Sequence, residues 1–312
     1  MAGDGTYTVA ADGSKLKNWG SLARVRPAAA RAITDVVVEC ARSGVPVSSS
    51  VAPRRGNAEL RLLALPVLGP HDEVFGVELW CGRADVEPYP RRMVGAGEWD
   101  PDEEIMRLAP ALEQYLFGGE LKQVRTAPDL FQRIAGFPDR AASFDLAVNF
   151  GADRMWCGDI VVRGESSLRQ LRAVVRTRSG VGRALRVLAF DISDIVVPNE
   201  SVEAAALHAV VASTGDTGVG LVSLDYGLVY AWLAAPEPPL HPWTTERVTV
   251  HPDDVAAYFG ACRDVIDGAA RAQVRVRVRF PATEWIAMEA VLVAARREAP
   301  AQGIIRVRAL DG

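Results

Sequence analysis

Val274-Arg275-Val276-Arg277-Val278-Arg279-Phe280 alternates apolar and basic residues with period two, as a strand does when it buries one face and shows the other to water. Two further apolar runs, Trp285 to Ala295 and Ile304 to Leu310, follow at hairpin-length spacing and predict an antiparallel meander. Ahead of them, His251-Pro252-Asp253-Asp254 opens a short helix. Proline suits the first helical turn, where its missing N–H would have no partner. Asp253 or Asp254 can cap free amides there and interact with the positive end of the helix dipole. The last hundred or so residues thus read helix, strand, strand, strand on one sheet.

The same order recurs at the other end of the chain. Ala28 to Arg42 carries Ile33, Val36, Val37 and Cys40 at helical spacing and stops at Ser43-Gly44. Strands are predicted at Val45 to Val51, Glu59 to Leu68 and Val74 to Cys81, with turns at Arg54-Arg55-Gly56-Asn57 and Gly69-Pro70-His71-Asp72. Gly82 to Pro101 is rich in proline, glycine and charge and reads as an extended connector. Asp102 to Phe117 then reads as an amphipathic tethering helix, with Ile105, Leu108, Leu112, Tyr115 and Leu116 on one side.

In the middle, Asp129 to Ala135 predicts a short helix, and Leu146 to Phe150, Arg154 to Val162 and Arg183 to Ile192 predict strands, the last after a Gly180-Val181-Gly182 turn. Leu168 to Thr177 fits helix or strand. Glu200 to Val211 is alanine-rich and reads as a linking helix, and Gly220 to Ala234 as two short strands around Asp225-Tyr226-Gly227. The expectation is an α+β chain of three tandem domains, residues 1–100, 101–198 and 199–312, each an antiparallel sheet flanked by helices and joined by linking helices.

Composition narrows the function classes. A net charge of -4 over 312 residues gives no global attraction to nucleic acid or to an anionic membrane. The four cysteines, Cys40, Cys81, Cys157 and Cys262, are widely spaced without a CxxC pair, which predicts reduced, buried thiols. The first residues lack a basic start followed by an apolar core, and the most apolar region, Val219 to Ala235, is broken by Asp225 and glycines. Cytoplasmic location, no membrane insertion and no nucleic-acid partner are therefore expected.

Catalytic signatures are missing from the sequence. Gly215-Asp216-Thr217-Gly218-Val219-Gly220 is not followed by Lys-Ser/Thr, there is no GxSxG or HExxH, and the carboxylates Asp102-Glu103-Glu104 open a predicted helix, where the dipole explains them. None of His71, His208, His241 and His251 sits in a haem-attachment motif, so no cofactor is assigned and no metal site is expected. The arginines Arg275, Arg277, Arg279, Arg306 and Arg308 interleave with aliphatic rather than aromatic residues. They read as a sheet face neutralised by carboxylates such as Glu284 and Glu289.

The last domain resembles a PAS domain: a leading hairpin from Gly220 to Trp232, the helix after Val250-His251-Pro252-Asp253-Asp254-Val255, then three long strands. Val74-Phe75-Gly76-Val77-Glu78-Leu79-Trp80-Cys81-Gly82, with Ala84-Asp85, Glu87-Pro88, Glu98-Trp99-Asp100 and Lys17-Asn18-Trp19, is similar to actinobacterial, chiefly mycobacterial, triple-sensor-domain proteins of PAS/GAF type. The resemblance implies sensor domains without an attached kinase, cyclase or DNA-binding output. In such modules the inner sheet face and flanking helices enclose a small apolar cavity. The pocket candidates are accordingly Tyr226, Tyr230, Trp232, Trp243, Tyr258 and Trp285 in the last domain, with the Trp-Cys pairs at Trp80 and Trp156 as counterparts in the first two. For any single one, plain core packing competes. The expected function is a non-enzymatic sensor that binds a small molecule, a protein partner or both. The alternative is a purely structural interaction scaffold with filled cores.

Overall fold

The computed structural model describes residues 7–24, 29–52, 59–119, 121–151, 154–164, 167–178, 183–200 and 217–310. The chain is mixed α+β, and all of its strand pairings are antiparallel among the described residues. It opens with a hairpin, β1 (Thr8–Asp12) and β2 (Lys15–Ser21), that turns at Gly13 with φ 60°. Helix α1 (Ala30–Ser43) and strands β3 (Val47–Val51), β4 (Leu60–Leu68) and β5 (Val74–Arg83) follow where the periodicity puts them. Ile33, Val36, Val37 and Cys40 of α1 pack on Leu62 and Ala64 of β4. Gly44 ends the helix in the left-handed region at φ 69°, its N–H donating to the Cys40 carbonyl, a conformation that glycine adopts without a Cβ clash. The turn foreseen at Arg54 to Asn57 lies outside the described residues.

The middle of the chain is built from β6 (Val94–Asp100), β7 (Ile105–Leu108), α2 (Pro110–Phe117), β8 (Arg125–Thr126), α3 (Ala127–Phe131), β9 (Ile134–Gly136), α4 (Arg140–Val148), β10 (Met155–Arg163), β11 (Leu168–Arg178) and β12 (Ala184–Asp191). One seven-stranded sheet results, in the order β8-β7-β6-β12-β11-β10-β9. Several expectations change here. The stretch read as connector contains β6, which pairs with β12 (Val187 opposite Gly97), so Val94–Asp100 belongs to the middle sheet and not to the first domain. The expected helix from Asp102 splits in two. The Asp100 carboxylate accepts the N–H groups of Asp102 and Glu103 at 3.0 and 2.9 Å, and Glu104 takes a positive φ of 58°. That turn reverses the chain and pairs Ile105 to Leu108 with β6, leaving only Pro110–Phe117 helical.

The segment Leu146 to Phe150, expected as strand, is largely the end of helix α4. The short helix expected to reach Ala135 stops at Phe131, and β9 follows. Leu168 to Thr177 resolves as strand. The Gly180 turn and the linking helix foreseen at Glu200 to Val211 fall, apart from Glu200 itself, outside the described residues.

The last sheet has six strands: β13 (Gly218–Ser223), β14 (Leu228–Ala234), β15 (Thr249–Val250), then after helix α5 (Val255–Ile266) the meander β16 (Ala272–Arg279), β17 (Ile286–Arg296) and β18 (Gln302–Ala309). Its order is β14-β13-β18-β17-β16-β15. Val276, Val278, Met288, Leu292 and Ile305 form one core with Cys262 and Val265 of α5. Each such side chain contributes about 1.5–3 kcal/mol by leaving water.

On the opposite face Glu289 stands in register between Arg275 and Arg308. It accepts from Arg308 Nη2 at 2.7 Å and lies 3.6 Å from Arg275 Nε, which supplies the foreseen neutralisation. Among the described residues Glu284, the other carboxylate foreseen there, forms no ion pair. The aspartates before α5 do not cap it. His251 Nδ1 accepts the Asp253 N–H at 3.3 Å, while Asp254 accepts both the backbone N–H (2.8 Å) and Nε (2.9 Å) of Arg277 and fastens the helix entrance to β16. Among the described residues no helix is long and apolar enough to cross a membrane.

Candidate functional site

Side chains alternate across a strand, and the middle sheet uses this to serve two spaces at once. On one face Trp156 and Ile160 of β10, Ala173 and Val175 of β11, and Leu185 and Val187 of β12 form the floor of a cavity of about 170 Å³. Trp99 of β6 and Met106 of β7 extend that floor, and Phe131, Phe137 and Phe144 from α3, the loop after β9, and α4 cover it. The remaining wall comes from the β13–β14 hairpin of the last sheet, through Ser223, Tyr226, Leu228 and Tyr230. Phe144 meets the Tyr230 ring edge-on at 4.9 Å, Phe131 lies 5.2 Å from it, and Phe137 meets Trp156 at 5.5 Å.

The tyrosine hydroxyls in this wall serve as fasteners. Tyr226 Oη donates to the Ala147 carbonyl at the end of α4. Tyr230 Oη accepts from Arg140 Nη1 at 3.1 Å and donates to Gln302 Oε1 at 3.3 Å. Burial pushes both phenols above their usual pKa, with Arg183 beside Tyr226 and Arg140 beside Tyr230 opposing the rise. Glu104 is the only charged side chain among the described residues lining the cavity, brought there by its left-handed backbone. Burial raises its carboxyl pKa and Arg247 works against that rise. The surroundings are rings and aliphatic groups, an environment suited to binding an apolar molecule with one polar end.

Three of the sequence candidates, Tyr226, Tyr230 and Trp156, therefore meet in one cavity, although Trp156 comes from the middle sheet and the tyrosines from the hairpin of the last. Trp232 and Trp243 do not reach it: their rings pack at 5.4 Å, Trp232 Nε1 donates to the Trp243 carbonyl at 3.2 Å, and Trp243 abuts Phe280 in the core of the last sheet. Tyr258 is buried on α5 and donates to the Gly227 carbonyl at 2.8 Å, its pKa pushed well up by burial. Gly227 is required there, because a Cβ would strike the Tyr258 ring and φ is 64°. Trp285 lies between His251 and Arg279, 4.6 Å from one ring and 4.7 Å from the other's guanidinium carbon. Phe131, Phe137 and Phe144, spaced by six and seven residues, are not among the residues the sequence singles out, and Trp99 enters there only as part of a family motif.

Trp80 lines a second space, a groove of about 840 Å³ between the first sheet with its hairpin and the opposite face of the middle sheet. The two Trp-Cys pairs share a device that explains why glycine follows each. The Trp80 indole covers Gly82, and the Trp156 indole covers Gly158, so that a Cβ at either glycine would collide with the ring. None of the four thiols is in a disulfide. Cys262 is pushed up to about 11 by burial, and burial raises Cys40 as well. Among the described residues no three His, Cys, Asp or Glu side chains are grouped to hold a metal ion.

Residues 1–90 match the family model described as Rv3651-like, N-terminal. No curated protein matches the chain. Among solved structures, an uncharacterized protein from Mycobacterium tuberculosis superposes with a TM-score of 0.77 at 16% identity, covering 100% of this chain and 94% of the other, and so shares its fold. A sensory box histidine kinase/response regulator from Burkholderia thailandensis (19% identity, 33% and 79% of the two chains) and an RNA-binding light-oxygen-voltage receptor (10%, 70% and 95%) each give a TM-score of 0.26, too low to carry an argument. The family match and the mycobacterial neighbour support the actinobacterial part of the resemblance stated above.

Proposed function

We propose that this chain is a non-enzymatic, cytoplasmic sensor of PAS/GAF type that binds a small apolar molecule in the cavity between the middle and last sheets and passes the signal to a protein partner. The observation that carries this reading is the shared wall: Trp156 and Val175 from one sheet and Tyr226 and Tyr230 from the next line the same 170 Å³ space. A ligand shifts an arrangement only as far as it binds two arrangements differently. A molecule touching both lobes at once meets that condition. An engineered apolar cavity of roughly 150 Å³ takes up benzene, so the expected ligand is about one ring in size. The order of the last lobe, a hairpin, then a helix, then a meander whose final strand returns beside the hairpin's first strand, supports the PAS-type assignment.

Titration of the intact chain with toluene, followed by tryptophan emission and by melting temperature, tests the reading. Saturable quenching with a raised melting temperature is expected. A titration without saturation would sink it and would favour the purely structural scaffold.

A further inference from the structure

We infer that the groove on the other face of the middle sheet is a second binding site, for an organic anion with an aromatic or apolar body. On β11 and β12, Arg176 and Arg186 stand directly opposite each other in the antiparallel register. Facing like charges are unfavourable unless something compensates them, and the compensation present is incomplete. Glu73 and Glu98 lie 3.5 and 3.8 Å from Arg186, and Glu98 lies 3.9 Å from the neighbouring Arg178. Two carboxylates thus serve Arg178 and Arg186, while Arg176 has no carboxylate partner among the described residues.

The Nε atoms of Arg176 and Arg186 are buried without a hydrogen-bond partner among the described residues, although Arg186 Nε has the equally unpartnered Glu98 Oε2 at 3.8 Å. A buried donor left unpaired is costly, more so when charged. An anion seated in the groove against the two guanidinium groups would offset the repulsion between them.

The walls supply the second half of the chemistry. Trp19, held at a positive φ of 56°, sets its ring 5.5 Å from the Arg176 guanidinium carbon, and Phe75 lies 4.5 Å from that of Arg186. Trp80, Val174 and Leu188 continue the apolar lining. Other arginines of the rim are already engaged: Arg91 with Glu78 at 2.7 Å and Arg92 with Asp194 at 2.6 Å. The volume of about 840 Å³ admits a molecule far larger than the cavity on the opposite face. The site differs from that cavity in position, charge and size.

The test uses the intact chain with anilinonaphthalene sulfonate as the anionic probe and phenylnaphthylamine as its neutral counterpart. The sulfonate is expected to bind saturably, and Arg176→Gln to weaken it roughly tenfold, the scale of one lost charge-assisted hydrogen bond. The neutral dye should bind both proteins alike. Because Arg176→Gln removes a facing like charge, its melting temperature should be no lower than that of the parent. Equal sulfonate binding by both proteins overturns the inference, as does a matching loss of the neutral dye. A variant that melts earlier or does not fold also overturns it, by showing Arg176 to be a structural anchor for Trp19.

Discussion

Replacing Ala173 by valine should make the protein more stable and less able to bind a small ring. Ala173 is 1% exposed at the centre of the cavity floor. Two added carbons recover about 0.8 kcal/mol each, and a β-branched residue suits a central strand. Ala173→Val should therefore stabilise the fold by about 1–1.5 kcal/mol, or about 2–6 °C in melting temperature for a domain of 150–250 residues. Toluene affinity should fall at least fivefold, since the same space is now occupied. Melting followed by near-ultraviolet circular dichroism, paired with the toluene titration, reads both effects. Destabilisation by more than about 1 kcal/mol would mean overpacking, hence no usable space, and would refute the cavity. Unchanged toluene binding would refute its role.

Three further outcomes follow from particular contacts. Gly158→Ala should cost about 1–3 kcal/mol by driving the Trp156 indole off its seat, and should alter tryptophan emission; an unperturbed spectrum would contradict the packing. Arg125, 5% exposed, is held by Glu113 and by Asp129 at 2.9 Å. Arg125→Met should therefore cost about 3–5 kcal/mol in urea unfolding, most of it regained when Glu113→Gln and Asp129→Asn remove the stranded carboxylates. Arg277 holds the Asp254 carboxyl down at about 2, below the unfolded value near ~3.9. Its contribution is thus fully present above about pH 4 and lost as pH falls through about 2. Asp254→Asn should melt earlier than the parent at neutral pH, and the gap should close towards pH ~2; a gap independent of pH would assign the effect to packing.

The last lobe was legible because its alternation extends over three strands, and Val276, Val278 and Ile305 are buried where period two puts them. Helix α1 was legible for the same reason at the helical period. The middle lobe was not. Ile105 and Leu108 fit a helical stripe equally well, and only the Asp100 side chain accepting two N–H groups, with Glu104 in the left-handed region, turns them into a strand. Leu146 to Phe150 is a short apolar run, which periodicity alone cannot assign to helix or strand. The cavity depended on sheet order as well. Trp156, Tyr226 and Tyr230 were chosen for their chemistry, but nothing local in the sequence says that the β13–β14 hairpin docks against β10 through α3 and α4.

Strands β11 and β12 are a partition one chain thick, with Ala173, Val175, Leu185 and Val187 facing an oily chamber and Val174, Arg176, Arg186 and Leu188 facing a wetter one. Because the pleat repeats every two residues, gaining or losing a single residue within 168–178 would rotate every later side chain through the wall. Guanidinium groups would enter the ring-lined chamber and methyl groups would take their place outside, so one frame slip would abolish both compartments together.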